Sequence, residues 1–152
     1  MPRASVKRLI ECEKEDLINL VLDIDKYPDF VPFCYDAKIY ENKNEGDLTK
    51  IIADLTIGKG PFKDTYKSDV IFNKKKNSIF VKNIDGPLNH LSNNWTFSDK
   101  ENGFTEVIFD IDFEIKNKFL NSLMVVSFQF GLEKIADAFQ KRAEELFSNS
   151  KN

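Results

Sequence analysis

Residues 118–147 read KFLNSLMVVSFQFGLEKIADAFQKRAEELF, thirty positions with no proline. In the second half, Leu132, Ile135, Ala136, Phe139, Ala143 and Leu146 recur at steps of three and four, the stripe of an amphipathic helix. The first half is different. Residues 119–132 carry no charge, and Phe119, Leu120, Leu123, Met124, Val126, Phe128 and Phe130 spread over far more than one stripe. At ~1.5 Å per residue the helix would run roughly 45 Å, enough to cross a small sheet from corner to corner. The uncharged run, interrupted by Asn121, Ser122, Ser127 and Gln129, falls short of the ~20 apolar residues that span a bilayer. Its surplus of apolar surface has two readings: burial on several sides by sheet and loops, or the wall of a lipid cavity that also touches a membrane. Gly131 falls where the broad half gives way to the narrow one. A glycine there costs ~0.5–1 kcal/mol relative to alanine, and it reads either as close packing on a sheet or as a bend that opens a cavity.

The sheet that such a helix needs is upstream. Tyr35 to Asn42, Asp47 to Ile57, Lys63 to Asn73, Ser78 to Ile84, His90 to Ser98 and Phe104 to Lys116 are rich in β-branched and aromatic residues. Turn signals separate them at Asn42–Gly46, Gly58–Pro61, Asn73–Asn77, Asp85–Pro87 and Asp99–Gly103. The last strand alternates most cleanly, with Val107, Phe109, Ile111, Phe113 and Ile115 on one face and Asp110, Asp112, Glu114 and Lys116 on the other. Short turns predict an antiparallel meander, wet on one face and open to the helix on the other. At the front, Ala4 to Cys12 reads as a strand that pairs with the last. Glu13 to Ile24 reads as a short helix with acids at its positive end, and YPDFVPFC (27–34) as a proline-bounded helical turn carrying aromatic pegs. The pegs read as plugs for the open edge of the core, or as ligand contacts.

Composition narrows the function. The chain has 152 residues, 22 basic against 25 acidic, and a net charge of −3. This suits one domain, 1–152, and argues against sequence-specific nucleic-acid binding as the main activity. Fourteen phenylalanines against one tryptophan provide large apolar volume. The opening MPRASVKRLIEC lacks the apolar core of a secretory signal, so export is not expected. Cys12 and Cys34 read as free thiols in a reducing compartment.

Three motifs in order carry a resemblance. YPDFVPFC (27–34) resembles the YPxFxPxC signature of the branch of the START-like, or helix-grip, superfamily that holds the coenzyme Q-binding proteins and ribosome association toxins. DGPLNHLSNNWTF (85–97) is similar to that branch's GPFxxLxxxWxF strand, and ADAFQKRAEEL (136–146) to its AFxxRA helix end. Phe33 stands where the branch often has tryptophan and Leu88 where it often has phenylalanine, which leaves the fold intact and alters cavity shape. The resemblance implies an α+β helix-grip fold: a curved antiparallel sheet of about seven strands around a long C-terminal helix, with two short helices after strand one. It implies a non-enzymatic binder of a polyprenyl quinone, with ubiquinone as bound ligand and no other cofactor, acting as carrier or chaperone in respiration. It implies a cytoplasmic location, or a peripheral one on the inner membrane (the matrix side in a eukaryote). The alternative it carries is a factor that associates with the large ribosomal subunit and blocks subunit joining, for which a basic face would be expected.

The expected cavity walls are Phe30, Val31, Phe33, Leu88, Leu91, Trp95, Leu123, Val126 and Phe130, with Leu123, Val126 and Phe130 sharing one helix face toward the sheet. Tyr27, Tyr66 and the Trp95 indole are the candidate donors to a carbonyl oxygen. Other chemistry is thin. His90 is the only histidine, which removes His-based triads and multi-histidine metal sites. Asp110, Asp112 and Glu114 could attract a cation but alternate as a solvated face does. Gly58 and Gly60 lack the helix start and Lys-Ser/Thr pair of a phosphate loop; the resemblance implies a loop at the cavity mouth there, where glycines permit movement. Lys74, Lys75 and Lys76 form a charged hairpin tip. They serve solubility, or add on the order of 3 kcal/mol of attraction to an anionic bilayer while apolar loop tips dock there.

Overall fold

The computed structural model describes residues 3–86 and 88–147, with side-chain surroundings for all of these except 59, 62, 120 and 123–127. Seven strands form one antiparallel sheet: β1 (Arg3–Ile10), β2 (Cys34–Glu45), β3 (Leu48–Lys59), β4 (Phe62–Asn73), β5 (Ser78–Asp85), β6 (Leu88–Asp99) and β7 (Thr105–Ile115). The spatial order is β1-β7-β6-β5-β4-β3-β2, so the meander runs unbroken from β2 to β7 and β1 adds beside the last strand. Helix α1 (Lys14–Leu22) follows β1, a 3-10 turn covers Ile24–Asp29, and α2 (Lys118–Phe147) closes the chain.

The front segment holds the short helical turn expected there, displaced toward the N-terminus: a 3-10 turn over Ile24–Asp29 with Pro28 inside it, whose ring supplies no N–H and crowds the preceding carbonyls. Helix α1 ends two residues early. Its last turn closes where Asp23 N–H donates to the carbonyls of Asn19 (3.0 Å) and Leu20 (3.3 Å). Leu17, Ile18, Leu20 and Val21 are its buried side.

The alternation of β7 is repeated across the sheet. Val107, Phe109 and Phe113 of β7, Leu91, Trp95 and Phe97 of β6, Ile79 and Val81 of β5, and Ile51 and Ala53 of β3 turn into one buried face. Helix α2 lies over the β1–β7 side of that face, burying Leu132, Phe139 and Ala143. It also covers the edge of β1. Gln140 Nε2 donates to the Leu9 carbonyl (3.3 Å), Glu144 Oε2 accepts from Glu11 N–H (3.1 Å), and Arg8 Nη2 meets Asp137 Oδ1 at 2.9 Å. The opposite edge, β2, is protected by its own sequence. Charged residues line its length, and two register breaks, at Cys34/Asp36 and Ile39/Glu41, bend it away from a flat template.

Direction along the meander gives the sheet two unlike ends. One carries the β2–β3, β4–β5 and β6–β7 turns; the other carries the β3–β4 and β5–β6 turns and the step from β7 into α2. Lys74–Lys76 belong to the first end and Gly58–Pro61 to the second. Lysines placed there cannot assist loops at a mouth near Gly58, which corrects the docking arrangement expected from sequence.

Candidate functional site

Beneath the C-terminal half of α2 the concave face is filled with rings. Phe139 stands edge-on to Tyr27 (5.4 Å between centroids), Phe30 (5.1 Å) and Trp95 (5.2 Å). Trp95 in turn lies 4.3 Å from Phe109 and is stacked with Phe97 at 6.4 Å. A cavity of about 20 Å³ remains among Val6, Ile10, Trp95, Val107, Phe109 and Phe139, with Arg8 at its border, room for about one water. Among the described residues this half is packed core, and that cavity is too small for a lipid.

Toward the second end the character changes. Leu88 and Leu91 of β6 are buried opposite Ile115 and Phe113 of β7. Phe128 of α2 reaches down to Phe113, 4.5 Å between centroids. The helix segment overhead, 119–132, is the uncharged one. Ile57, Ile84, Tyr35 and Phe119, which is 69% exposed, stand on the rim at this end, with Lys63 Nζ 3.9 Å from the Tyr35 ring centre. Among the described residues no helix is long and apolar enough to cross a membrane.

The expected wall residues divide accordingly. Leu88, Leu91 and Trp95 are buried on the concave face; Phe30 and Val31 are half-buried against the same core. Phe33 is half-buried in a left-handed backbone conformation (φ 69°), uncommon for so bulky a residue. Its carbonyl accepts from Gly58 N–H at 3.0 Å. The Phe33 ring is the nearest neighbour of Gly131: Cε2 lies 3.9 Å from where a Cβ on that glycine would sit. Gly131 therefore faces a ring beside the helix, and the expected close packing on the sheet is absent. The surroundings of Leu123 and Val126 lie outside the described residues. Phe130 is a correction. It is 63% exposed beneath Lys134 Nζ at 4.7 Å and does not face the sheet.

The candidate donors also separate. The Tyr27 hydroxyl donates to the Val21 carbonyl and is committed to holding the 3-10 turn on α1, which removes it as a ligand donor. Tyr66 is buried on the concave face, and burial pushes its phenol well above the usual range, so it remains neutral and able to donate. Gly86 (φ 131°) fits against it so closely that an added Cβ would stand 2.8 Å from Tyr66 Cβ. Burial raises the Cys12 thiol to about 12 and the Cys34 thiol to about 11, which makes both poor nucleophiles.

Three other polar side chains of the concave face have protein partners, unlike Asn93. Ser68 Oγ donates to the Ala53 carbonyl (3.3 Å) and Thr105 Oγ1 to that of Cys12 (2.8 Å). Asn83 bridges the irregular start of β6, donating to the Leu88 carbonyl (3.3 Å) and accepting from Leu91 N–H (2.9 Å). Asn93 lies between Leu91 and Trp95, and its Oδ1 is buried without a partner. The sequence reading passed over it, although its odd-numbered place in LSNNWTF puts it on the face of Leu91, Trp95 and Phe97.

On the outer face, His90 Nε2 stands 3.6 Å from Asp112 Oδ2, longer than a good hydrogen bond. Among the described residues no three His, Cys, Asp or Glu side chains group as a metal site. Tyr40 donates to Asp54 Oδ2 (2.7 Å) while Lys38 and Lys67 lie 4.9 and 4.7 Å from its ring centre.

A curved sheet closed over one long helix, plugged by rings at one end and lined by aliphatic side chains at the other, is an architecture that stores apolar molecules. Residues 10–140 match the family described as polyketide cyclase / dehydrase and lipid transport. The chain belongs to that family. Within it, the chain is 32% identical over 142 residues to the ribosome association toxin RatA of Rickettsia prowazekii, covering 91% of this chain and 94% of that one. It is 29% identical over 136 residues to the mitochondrial coenzyme Q-binding protein COQ10 of Dictyostelium discoideum, covering 87% of this chain and 64% of that protein. Among solved structures, the 18 kDa protein CC1736 of Caulobacter crescentus superposes with a TM-score of 0.79 at 27% identity, covering 96% of this chain and 98% of that one. A START superfamily protein from Mycobacterium smegmatis gives 0.80 at 19% identity, covering 95% and 98%. The Zhui aromatase/cyclase of Streptomyces shares the fold, with a TM-score of 0.80 over 99% of this chain and 98% of that one, at only 12% identity. The fold is therefore the helix-grip fold expected from the three motifs, and relatives of both expected names, coenzyme Q-binding protein and ribosome association toxin, are among those the chain resembles.

Proposed function

We propose that this protein binds a polyprenyl quinone, or a lipid of similar shape, between the concave face and the N-terminal half of α2, and carries it unchanged in support of respiratory electron transport. The observation that supports this best is the division of the concave face. An aromatic core plugs one end, while Leu88, Leu91, Phe113 and Phe128 leave an aliphatic and aromatic wall at the other, beneath a helix segment with no charge. A neutral quinone needs apolar wall and one or two polar contacts. Kinship with a coenzyme Q-binding protein points the same way. We read the chain as a binder and not as a cyclase, in keeping with relatives named for coenzyme Q binding and ribosome association. Loading and unloading would take place by transient contact of the rim, Ile57, Ile84, Tyr35 and Phe119, with a bilayer, from the cytoplasm or the surface of the inner membrane. Protein purified from a quinone-producing host should release quinone into organic solvent at a substantial fraction of one per chain. An extract without quinone, together with no uptake of added short-tailed quinone, would refute the reading.

A second reading rests on the relatives named ribosome association toxin and on Lys38 and Lys67, which lie against the Tyr40 ring on the outer face with Asp54 between them. Tyrosine and lysine side by side suit RNA backbone and bases, although the net charge of −3 opposes it. Co-sedimentation with the large ribosomal subunit, abolished by Lys38→Glu with Lys67→Glu, would favour this reading; its absence at low salt would exclude it.

A further inference from the structure

We infer that Asn93 is the polar contact for the oxygenated head group of the bound lipid, an inference that rests on the carrier reading above and deepens it. Three observations place it. First, register: Asn93 sits opposite Ile111 on β7 and Val81 on β5, both turned into the concave face with Leu91 and Trp95. Second, position: Phe128 meets Phe113 and Phe139 meets Trp95 and Phe109. Asn93 lies between those two levels, where the aliphatic wall ends and the aromatic plug begins. A molecule entering from the second end is stopped by Trp95, so its leading group rests beside Asn93. Third, satisfaction: Ser68, Asn83 and Thr105 spend their side-chain hydrogen bonds on the protein, whereas Asn93 Oδ1 is buried and unpartnered. A buried amide oxygen left without a donor is costly, and a donor on a bound molecule would satisfy it.

The chemistry of a primary amide selects the ligand class. Nδ2 donates and Oδ1 accepts, and rotation of the amide exchanges their places. As it stands, the orphaned Oδ1 accepts from the hydroxyl of the reduced form; turned over, the amide presents Nδ2 as a donor to a quinone carbonyl, with no change in protein charge. A lipid without oxygen at its leading end gains nothing there.

The test compares wild type with Asn93→Leu and Asn93→Ala, delipidated, in binding titrations with decylubiquinone and with decylbenzene, which has a similar tail and no oxygens. Loss of one hydrogen bond should weaken decylubiquinone binding on the order of five- to tenfold. Decylbenzene should bind equally well or better, and the urea midpoint of the empty protein should stay level or rise. Asn93→Ala adds no bulk and covers the case in which leucine does not fit. Undiminished decylubiquinone binding in both variants would overturn the role of Asn93 alone. Equal loss for both probes would also overturn it, showing that the residue only packs. Wild-type protein that binds neither probe would overturn the carrier reading, and the assignment of Asn93 with it.

Discussion

Replacing Phe139 by alanine tests the claim that the C-terminal half of α2 is closed core. The side chain is 3% exposed and meets three other rings edge-on at 5.1–5.4 Å. Truncation to alanine uncovers on the order of 100 Å² of apolar surface, about 2.5–3 kcal/mol at 25–30 cal/mol per Å². Three edge-to-face contacts, each at the low end of ~0.5–1.5 kcal/mol, add about 1.5. The sum, ~4 kcal/mol, falls within the ~3–5 kcal/mol usual for a buried Phe→Ala change. With a urea slope of about 2 kcal/mol per M, the unfolding midpoint should fall by about 2 M. Phe139→Leu keeps most of the volume and should cost less than half as much. The assay is equilibrium urea unfolding of delipidated protein, followed by Trp95 fluorescence and far-UV circular dichroism. If Phe139 instead lined the lipid space, alanine would enlarge an existing cavity at little cost. A midpoint drop under about 0.5 M, with increased capacity for decylubiquinone, would refute the reasoning and move the ligand to the other end of the helix.

Gly131→Ala should raise stability by about 0.5–1 kcal/mol in the same melts, because the position is helical and the nearest atom, Phe33 Cε2, leaves ordinary contact distance for a methyl group; destabilisation would mean that the glycine serves a tighter fit. Gly86→Ala should do the reverse and cost about 2 kcal/mol or more, since it forces a side chain into φ 131° and brings it to 2.8 Å from Tyr66 Cβ; a neutral result would show that the β5–β6 turn is free to shift. Stability should decline as pH rises above about 9. Cys12 is held protonated up to about 12 in the folded chain, chiefly by burial and then by Asp16, against 9.0 when unfolded, so its contribution is complete below pH 9 and is lost between 9 and 12. Cys12→Ala should flatten that decline between pH 8.5 and 10.5, and an unchanged slope would assign the effect to other groups.

The order of elements was legible because most strands are half-buried and so alternate in sequence. Where both faces are exposed, the alternation disappears. The tail of β2, Asn42–Glu45, is charged and polar throughout, and only its pairing with Leu48–Ile51 across the Gly46 turn (φ 63°) makes it strand. The phase of α2 was legible from Leu132 to Ala143, but Leu146 is exposed and Phe147 packs against the core instead, and the phase was misleading in the first half. Leu123, Val126 and Phe130 are spaced as a stripe, yet Phe130 precedes the buried Leu132 by two positions, about 200° around the helix. It had to point outward once Leu132 pointed in, whereas Phe128, four positions before Leu132, had to point inward. Extending the stripe backward from Leu132 would have selected Phe128 for the wall in place of Phe130.

Donors are harder to foresee, because a hydroxyl's partner is set by the path of the chain and not by its own residue type. Tyr27 is spent on Val21, six residues earlier, because the 3-10 turn Ile24–Asp29 that follows α1 carries it back against that helix. Asn93 was open to prediction by parity alone, but a polar side chain on an apolar face has meaning only after its neighbours are known to be occupied. The same reasoning separates the two functions carried by the relatives' names. Lys38, Tyr40 and Lys67 sit on the outer face of the sheet and Leu91, Asn93 and Trp95 on the inner one. A strand presents alternate residues to opposite faces, so a substitution on one side leaves the other side's chemistry in place. Charge reversal at Lys38 and Lys67 should therefore leave decylubiquinone binding unaltered, and Asn93→Leu should leave any ribosome association unaltered. Loss of both activities from either change, in protein whose urea midpoint is unshifted, would mean that one surface performs both and that lipid and ribosome compete for it.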